Sequence, residues 1–230
     1  MGDYYSKKEV ITMKKRMITA FLMFALLVLG VPGQAFADDD PLLSNATYHT
    51  EESDYIPGDC VLTATKMMIK RAAIMNGQSE WCDITNELLR PTATYEDGCL
   101  ISDFRFVDEG LSYRVRYAEF SGSSDGERIE EFRQLLKEHP EGIVVHGEGA
   151  AETGTHGVLV VGVDGYQVYA VDATYNKGDF NKGIQKWQDT TMLDPWMVTQ
   201  YWYIDEIVRT EPETKIKPIK ELYFNILRRA

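Results

Sequence analysis

The segment 154–172 most constrains the fold of this chain, because it predicts two neighbouring strands joined by a tight turn. Apolar runs flank the pair Asp164–Gly165, which is a strong hairpin signal. His156 lies near the start of the first strand and Asp172 ends the second. A three-residue loop with Gly165 in the left-handed conformation places these two side chains directly opposite each other. A two-residue turn at Asp164–Gly165 would put them on opposite faces; we expect the three-residue loop.

A cysteine at the start of a predicted helix precedes this hairpin by 96 residues. The spacing of apolar residues and the stop at Gly77 predict a helix from about Asp59 to Asn76, with Asp59 as N-cap and Cys60 in the first turn. The stripe comprises Val61, Ala64, Met68, Ala72 and Met75. Only a thiolate attacks a carbonyl carbon, and a helix N-terminus and a neighbouring imidazolium both favour that form of a thiol.

Three residues therefore form a candidate catalytic group: Cys60 as nucleophile, His156 as general acid and base, and Asp172 as the group that orients the imidazole. A cysteine on an apolar helix is more often a core residue, and a histidine on a strand is more often structural. The combination favours catalysis. His146 is a remote second candidate, whereas His49 lies in a polar lead-in and His139 precedes a proline.

The first 37 residues predict export. Lys14, Lys15 and Arg16 precede an apolar run from Met17 to Val31, and Ala35-Phe36-Ala37 resembles a signal peptidase site. A retained N-terminal anchor is the alternative, although the run is shorter than a typical span of about 20 residues. The start at Met1 or Met13 stays open. We expect a secreted or cell-surface protein without stable membrane association after signal cleavage.

Charge and cysteine content exclude several partners. The full chain carries −12, and removal of residues 1–37 takes away five basic and two acidic residues, which gives −15. Such a charge argues against nucleic acid as a partner. No metal-ligand spacing of Cys or His is present, and we expect no metal or cofactor. Cys82 and Cys99 either pair as a disulfide or are both reduced and buried.

Helices precede a run of strands, so the fold class is α+β, with a helical side that carries the nucleophile and an antiparallel sheet that carries His156 and Asp172. We expect an irregular lead-in at 38–57, one catalytic domain at 58–204 and a charged extension at 205–230. The predicted helices after the first are Ser79–Leu89, which buries Trp81, Ile84 and Leu88, then Asp125–Glu138 and Ile219–Arg229. The predicted strands outside the hairpin are Ser112–Phe120, Ile143–His146 and Trp196–Ile204.

The chain resembles the papain-like cysteine peptidases of the double-glycine, bacteriocin-leader-processing type and their stand-alone exported relatives. The matching parts are Cys60–Met68, the passage His139–Val145 and the hairpin from His156 to Asp172. The resemblance implies a papain-like fold and a Cys60, His156, Asp172 triad. That family usually has a Gln about six residues before the nucleophile as an oxyanion donor. Here Asp54 occupies the place, and an ionised carboxylate there would repel an oxyanion.

The leading hypothesis is an exported cysteine peptidase that hydrolyses peptide or protein substrates through a thioester intermediate. Two alternatives stay open. One is a catalytically inactive papain-like domain that binds peptides, which the missing Gln favours. The other is a cell-wall peptide hydrolase, although Ser-Gly does not follow Cys60 as it does in such enzymes. The residues alone do not distinguish hydrolysis from transacylation.

Overall fold

The computed structural model describes residues 40–51, 54–56, 58–96, 99–100, 103–108, 110–149, 154–172 and 183–210. The predicted signal peptide at 1–37 and the predicted helix Ile219–Arg229 lie outside the described residues. Within the described part of the chain, no helix is both long enough and apolar enough to cross a membrane.

A seven-stranded antiparallel sheet forms the centre of the described residues, with the strand order β3-β4-β9-β5-β6-β7-β8. Its strands are β3 (Phe104–Asp108), β4 (Leu111–Glu119), β5 (Ile143–Glu148), β6 (Thr155–Asp164), β7 (Gln167–Asp172), β8 (Gln185–Lys186) and β9 (Val198–Arg209). Two short strands, β1 (Tyr95–Glu96) and β2 (Cys99–Leu100), pair with each other outside this sheet. The last long strand therefore enters the middle of the sheet, next to β4 and β5.

Four α-helices accompany the sheet in the described residues: α1 (Asn45–Tyr48), α2 (Cys60–Met75), α3 (Asn86–Leu89) and α4 (Asp125–Glu138). Short 3₁₀ turns occupy Trp81–Asp83, Arg90–Thr92, Trp187–Asp189 and Pro195–Met197. The predicted irregular lead-in thus contains one helical turn, α1. Ser44 begins that turn, because its hydroxyl accepts a hydrogen bond from the Ala46 amide.

Helix α2 is the central helix of the molecule. Its residues from Cys60 to Ala73 are all buried, so it is enclosed on every side and not only along the predicted apolar stripe. Met75, which the pattern assigned to that stripe, is 42% exposed. The polar residues of α2 are buried too, and Arg71 bonds to the Glu141 carbonyl at 2.7 Å. A helix this enclosed holds its first residue, Cys60, in a fixed place.

The sheet separates two apolar cores. Helix α2 packs with Val144, Leu159 and Trp202 on one face. Helix α4 packs with Val145 and Val158 on the other face, because successive side chains of a strand point to opposite sides. The α+β class is confirmed, with helices on both faces of the sheet.

Two predicted elements differ from the structure. The helix expected over Ser79–Leu89 is replaced by a 3₁₀ turn and the four-residue α3, because the backbone is extended at Ile84 and Thr85. Ile84 is buried as expected, but Leu88 is 49% exposed. Strand β9 also continues to Arg209, five residues past the expected end, because it pairs with β4 along its length.

Candidate active site

Cys60 is the first residue of α2 and is almost fully buried. The N–H groups of a first helical turn have no partner within the helix, so they favour negative charge at this point. Asp59 occupies the predicted N-cap position, but its carboxylate makes no capping bond. It accepts hydrogen bonds from the Ile56 amide at 3.3 Å and from Arg90 at 2.5 Å. These bonds fix the turn that leads into Cys60.

The hairpin that carries His156 and Asp172 has a different register from the expected one. Its turn is the two-residue loop Gly165–Tyr166, with Asp164 opposite Gln167. Gly165 is left-handed, with φ of 57°, but the three-residue loop and the direct pairing of His156 with Asp172 are wrong. An uninterrupted register from this turn would put these two side chains on opposite faces.

A β-bulge in β6 brings the side chains of His156 and Asp172 back to the same face of the sheet. The register shifts by one residue between Val160 and Gly162, so Asp172 pairs with Val158. Val158 lies two residues from His156, which makes His156 and Asp172 diagonal neighbours on the same face. The sequence predicted their proximity, but the structure reaches it by another route.

Asp172 holds the imidazole of His156. Nε2 of His156 lies 2.7 Å from Oδ1 of Asp172, and both side chains are buried. The other carboxylate oxygen accepts hydrogen bonds from the Thr191 amide at 2.6 Å and the Thr191 hydroxyl at 2.9 Å. Thr191 therefore fixes the carboxylate that fixes the imidazole. No sequence pattern pointed to Thr191, because it lies 19 residues beyond Asp172 in an irregular segment.

The environment of His156 keeps its ring protonated at neutral pH. Burial by itself lowers the pKa of this histidine, but hydrogen bonds to Asp172 and to Cys60, with their charges, outweigh it and raise the pKa to about 9. Because Nε2 faces Asp172, Nδ1 is the ring nitrogen left for the sulfur of Cys60. The three residues thus form one hydrogen-bonded series, as the sequence predicted.

The close contact between Gly157 and α2 helps to set this geometry. A Cβ atom at Gly157 would lie 2.8 Å from Cγ2 of Val61 and 3.1 Å from its backbone nitrogen. Only glycine lets the strand approach the helix so closely. Gly157 follows His156 and Val61 follows Cys60, so this contact brings strand β6 against the start of α2.

Asp54 is engaged with helix α3. Its Oδ2 accepts from the Asn86 amide at 2.7 Å and its Oδ1 from the Glu87 amide at 2.9 Å. These are orphan N–H groups at the start of α3, so the carboxylate acts as a helix cap from a distant part of the chain. The effect of Asp54 on an oxyanion at Cys60 stays a prediction.

Tyr55, the next residue, lies within the electrostatic influence of Cys60. Burial acts first, and the charges of Cys60, Asp59 and Asp172 act in the same direction, so the pKa of Tyr55 rises to about 12. The half-buried phenol thus keeps its proton throughout the neutral range and can donate a hydrogen bond. Its place five residues before Cys60 is the single sequence signal that could have indicated it.

The remaining histidines have other roles. His146, the second candidate, pairs its Nδ1 with Oε1 of Gln200 at 3.1 Å. It lies opposite Gly157, so strand alternation turns its ring to the face opposite that of His156. Burial lowers the pKa of His146, which favours a neutral ring. His49 and His139 lie near the carboxylates of Glu51 and Glu141.

The second thiol lies outside this series. Cys82 is a free and exposed cysteine, so it is neither buried nor paired as expected. The side chain of Cys99 lies outside the described residues. Where the structure describes the chain, no group of three or more His, Cys, Asp or Glu side chains is arranged to hold a metal ion.

Comparisons of the chain with protein-family models, with characterised proteins and with solved structures give no match.

Proposed function

We propose that the chain is a cysteine peptidase of the papain-like type that hydrolyses peptide bonds through a thioester. The observation that carries this proposal is the series Cys60, His156, Asp172 and Thr191, in which each group positions the next. A buried thiol at a helix start beside a protonated imidazole is a recognised arrangement of an activated nucleophile.

In the first step, the Cys60 thiolate attacks the scissile carbonyl carbon and forms a tetrahedral intermediate. The carbonyl π-electrons move to the oxygen, which becomes an oxyanion. Two donors are suited to stabilise it: the Cys60 backbone N–H, which has no partner within the helix, and the Tyr55 hydroxyl, which keeps its proton. Tyr55 takes the part that a Gln has in the family that the chain resembles.

In the second step, His156 protonates the leaving amine through Nδ1, and the carbon–nitrogen bond breaks to leave a thioester. The neutral imidazole then takes a proton from water, whose oxygen attacks the thioester carbon. The carbon–sulfur bond breaks, which releases the acid and returns Cys60 as a thiolate beside the imidazolium. Asp172 maintains the ring orientation throughout, and its charge stabilises the imidazolium that starts and ends the cycle.

The proposed location and substrates follow from the N-terminal segment and the charge. Lys14–Arg16 and the following apolar run direct the chain out of the cytoplasm, so the substrates are extracytoplasmic peptides or proteins. A net charge of −12 for the whole chain gives a mild preference for neutral or basic substrates.

The test is cleavage of a complex peptide mixture by the full chain, read by mass spectrometry. We expect new peptide termini with the wild type and none with Cys60→Ala, whereas Cys82→Ala should cleave normally as the matched thiol control. A peptide aldehyde should block cleavage and protect Cys60 from alkylation.

Two other outcomes would redirect the proposal. Saturable peptide binding without cleavage, unchanged in Cys60→Ala, would support the inactive binding domain. Cleavage restricted to cell-wall peptides would support the cell-wall hydrolase. Neither result is expected from the proposed mechanism for general peptide substrates.

A further inference from the structure

A polar cavity lies along α2, away from its first residue. It has a volume of about 420 Å³ and is bounded by the end of α1, the middle of α2 and the segment before α3. Its polar lining includes His49, Asp54, Lys66, Lys70, Cys82 and Thr85. This volume is within the range of small-molecule sites.

Two buried lysines face this cavity from the same side of α2. Lys66 and Lys70 are four residues apart, which makes them neighbours on a helix surface. They are 1% and 5% exposed. Nζ of Lys66 donates to the His49 carbonyl at 3.0 Å and to the Thr50 hydroxyl. Both acceptors are neutral, and no carboxylate among the residues that the structure describes forms an ion pair with Lys66.

Lys70 has fewer direct contacts than Lys66; burial lowers its pKa, and the charges of Asp54 and Asp83 oppose that shift from a distance. Its Nζ lies 5.9 Å from the centre of the Trp81 ring. Among the described residues it makes no hydrogen bond or ion pair. A buried ammonium without hydrogen-bond acceptors is unusual, because burial removes the water that would otherwise solvate it.

The carboxylates near the cavity act on the two lysines only from a distance. Both oxygens of Asp54 accept backbone N–H groups of α3. Glu51 is largely exposed and pairs with Nε2 of His49 at 2.8 Å. Burial and the charge of Lys70 lower the pKa of Lys66 to about 7, and together they outweigh the charges of Asp54 and Glu51, which raise it.

We propose that this cavity binds a small organic anion, a carboxylate or a phosphate ester, whose charged group contacts Lys70 and Lys66. An oxyanion supplies the acceptors that Lys70 lacks and separates two cations that otherwise repel each other. Ala46 and Ile84 line the remaining space, which suits an apolar body on the ligand. The site is independent of the proposed peptidase activity.

Cys82 provides a direct readout, because its exposed thiol lines the same cavity. The full chain carrying Cys60→Ala would be treated with a neutral maleimide, and modification of Cys82 followed by peptide mapping. The probes are benzoate, phenyl phosphate, acetate and inorganic phosphate, with sodium chloride at matched ionic strength. We expect saturable protection of at least about fivefold by benzoate or phenyl phosphate, and weaker protection by acetate and inorganic phosphate.

Lys70→Met tests the assignment, because it removes the charge and keeps an unbranched side chain over Trp81. Protection should disappear in Lys70→Met and remain in Lys137→Gln, which removes an exposed lysine of α4. Circular dichroism checks that each variant is folded, and calorimetric titration of the unmutated chain with the same probes gives a result that needs no variant. Absence of saturable binding there, or protection that persists in a folded Lys70→Met chain, would overturn the proposal. A preference between benzoate and phenyl phosphate distinguishes a carboxylate from a phosphate ligand.

Discussion

Helix α2 carries two polar clusters that differ in how their charges are balanced. At its start, Cys60, His156 and Asp172 form a hydrogen-bonded series, and Thr191 holds the carboxylate. Ten residues later, about 15 Å along the axis, Lys70 is buried and has no acceptor or ion-pair partner among the residues that the structure describes. The described contacts thus hold every member of the first cluster, whereas we propose that an added anion completes the second.

A comparison of the two clusters shows that burial alone does not determine the direction of a pKa shift. Burial disfavours the charged form of both His156 and Lys66. At His156 the carboxylate and the thiol outweigh burial and the pKa rises to about 9. At Lys66 a second cation adds to burial and the pKa falls to about 7. The partners therefore determine the direction.

The largest expected effect is on kcat/KM, which should depend on the first cluster and not on the second. Asp172→Asn should lower kcat/KM at pH 7 by about 10³- to 10⁴-fold, because the imidazolium loses its charged partner and its fixed orientation. Since wild-type activity needs protonated His156, it should decline above about pH 9, and in Asp172→Asn that decline should begin at a lower pH. Lys70→Met is the matched control from the second cluster. An unchanged alkaline limb in Asp172→Asn would contradict the geometry.

The next effect concerns Tyr55. Tyr55→Phe should lower kcat by about 100- to 1000-fold with little change in KM, because an oxyanion donor acts mainly in the transition state. Tyr166→Phe, at a residue that is 85% exposed, should leave both constants unchanged. Equal activity of the two variants would mean that the backbone amide of Cys60 suffices.

The free energy of unfolding should depend on pH through both clusters, and the contributions of His156 and Lys66 should change in opposite directions. The contribution of His156 is present below about pH 6.5 and is lost as the pH rises towards 9. The penalty at Lys66 is present below about pH 7 and is relieved as the pH rises towards 10.5. Between pH 7 and 9 each changes the free energy of unfolding by about 2–3 kcal/mol, so they largely cancel in the wild type.

Single substitutions should expose each contribution. In Lys66→Met the free energy of unfolding should fall by about 2–3 kcal/mol from pH 7 to 9, and in Asp172→Asn it should rise by a similar amount. Urea titrations of the full chain at pH 7, 8 and 9 measure both slopes. If the free energy of unfolding changes with pH in the same direction in both variants, the charges of His156 and Lys66 do not oppose each other as described.

The smallest effect concerns packing at the first cluster. Gly157→Ala should cost about 1–3 kcal/mol of stability and move His156 from Cys60, because the new methyl group meets Val61. Gly126→Ala is the matched control, since nothing lies within 4 Å of its added Cβ. Alkylation of Cys60 by iodoacetamide at pH 6 should slow in Gly157→Ala, and that of Cys82 should not. Equal rates in the two glycine variants would exclude a positioning role.

The sequence predicted the parts of the site that depend on local pattern. Helix α2 and the existence of the β6–β7 hairpin follow from spacing and turn residues, and so does the proximity of His156 and Asp172, although the expected turn and register were wrong. The bulge at β6, the capping role of Asp54 and the bonds of Thr191 depend on contacts between distant parts of the chain, which local pattern does not contain. The helix expected over Ser79–Leu89 failed for the same reason, because Asp54 caps α3 from outside that segment.

The bulge between Val160 and Gly162 limits how the length of this hairpin can vary. Because side chains alternate along a strand, inserting or deleting one residue within the paired parts of β6 or β7 turns the carboxylate to the other face, unless the bulge is lost or a second one is gained. Residues added to the Gly165–Tyr166 loop lengthen the turn and keep the alignment. Chains that preserve this site should therefore differ by even numbers in the paired parts of the hairpin, and an odd difference there should coincide with a changed number of bulges.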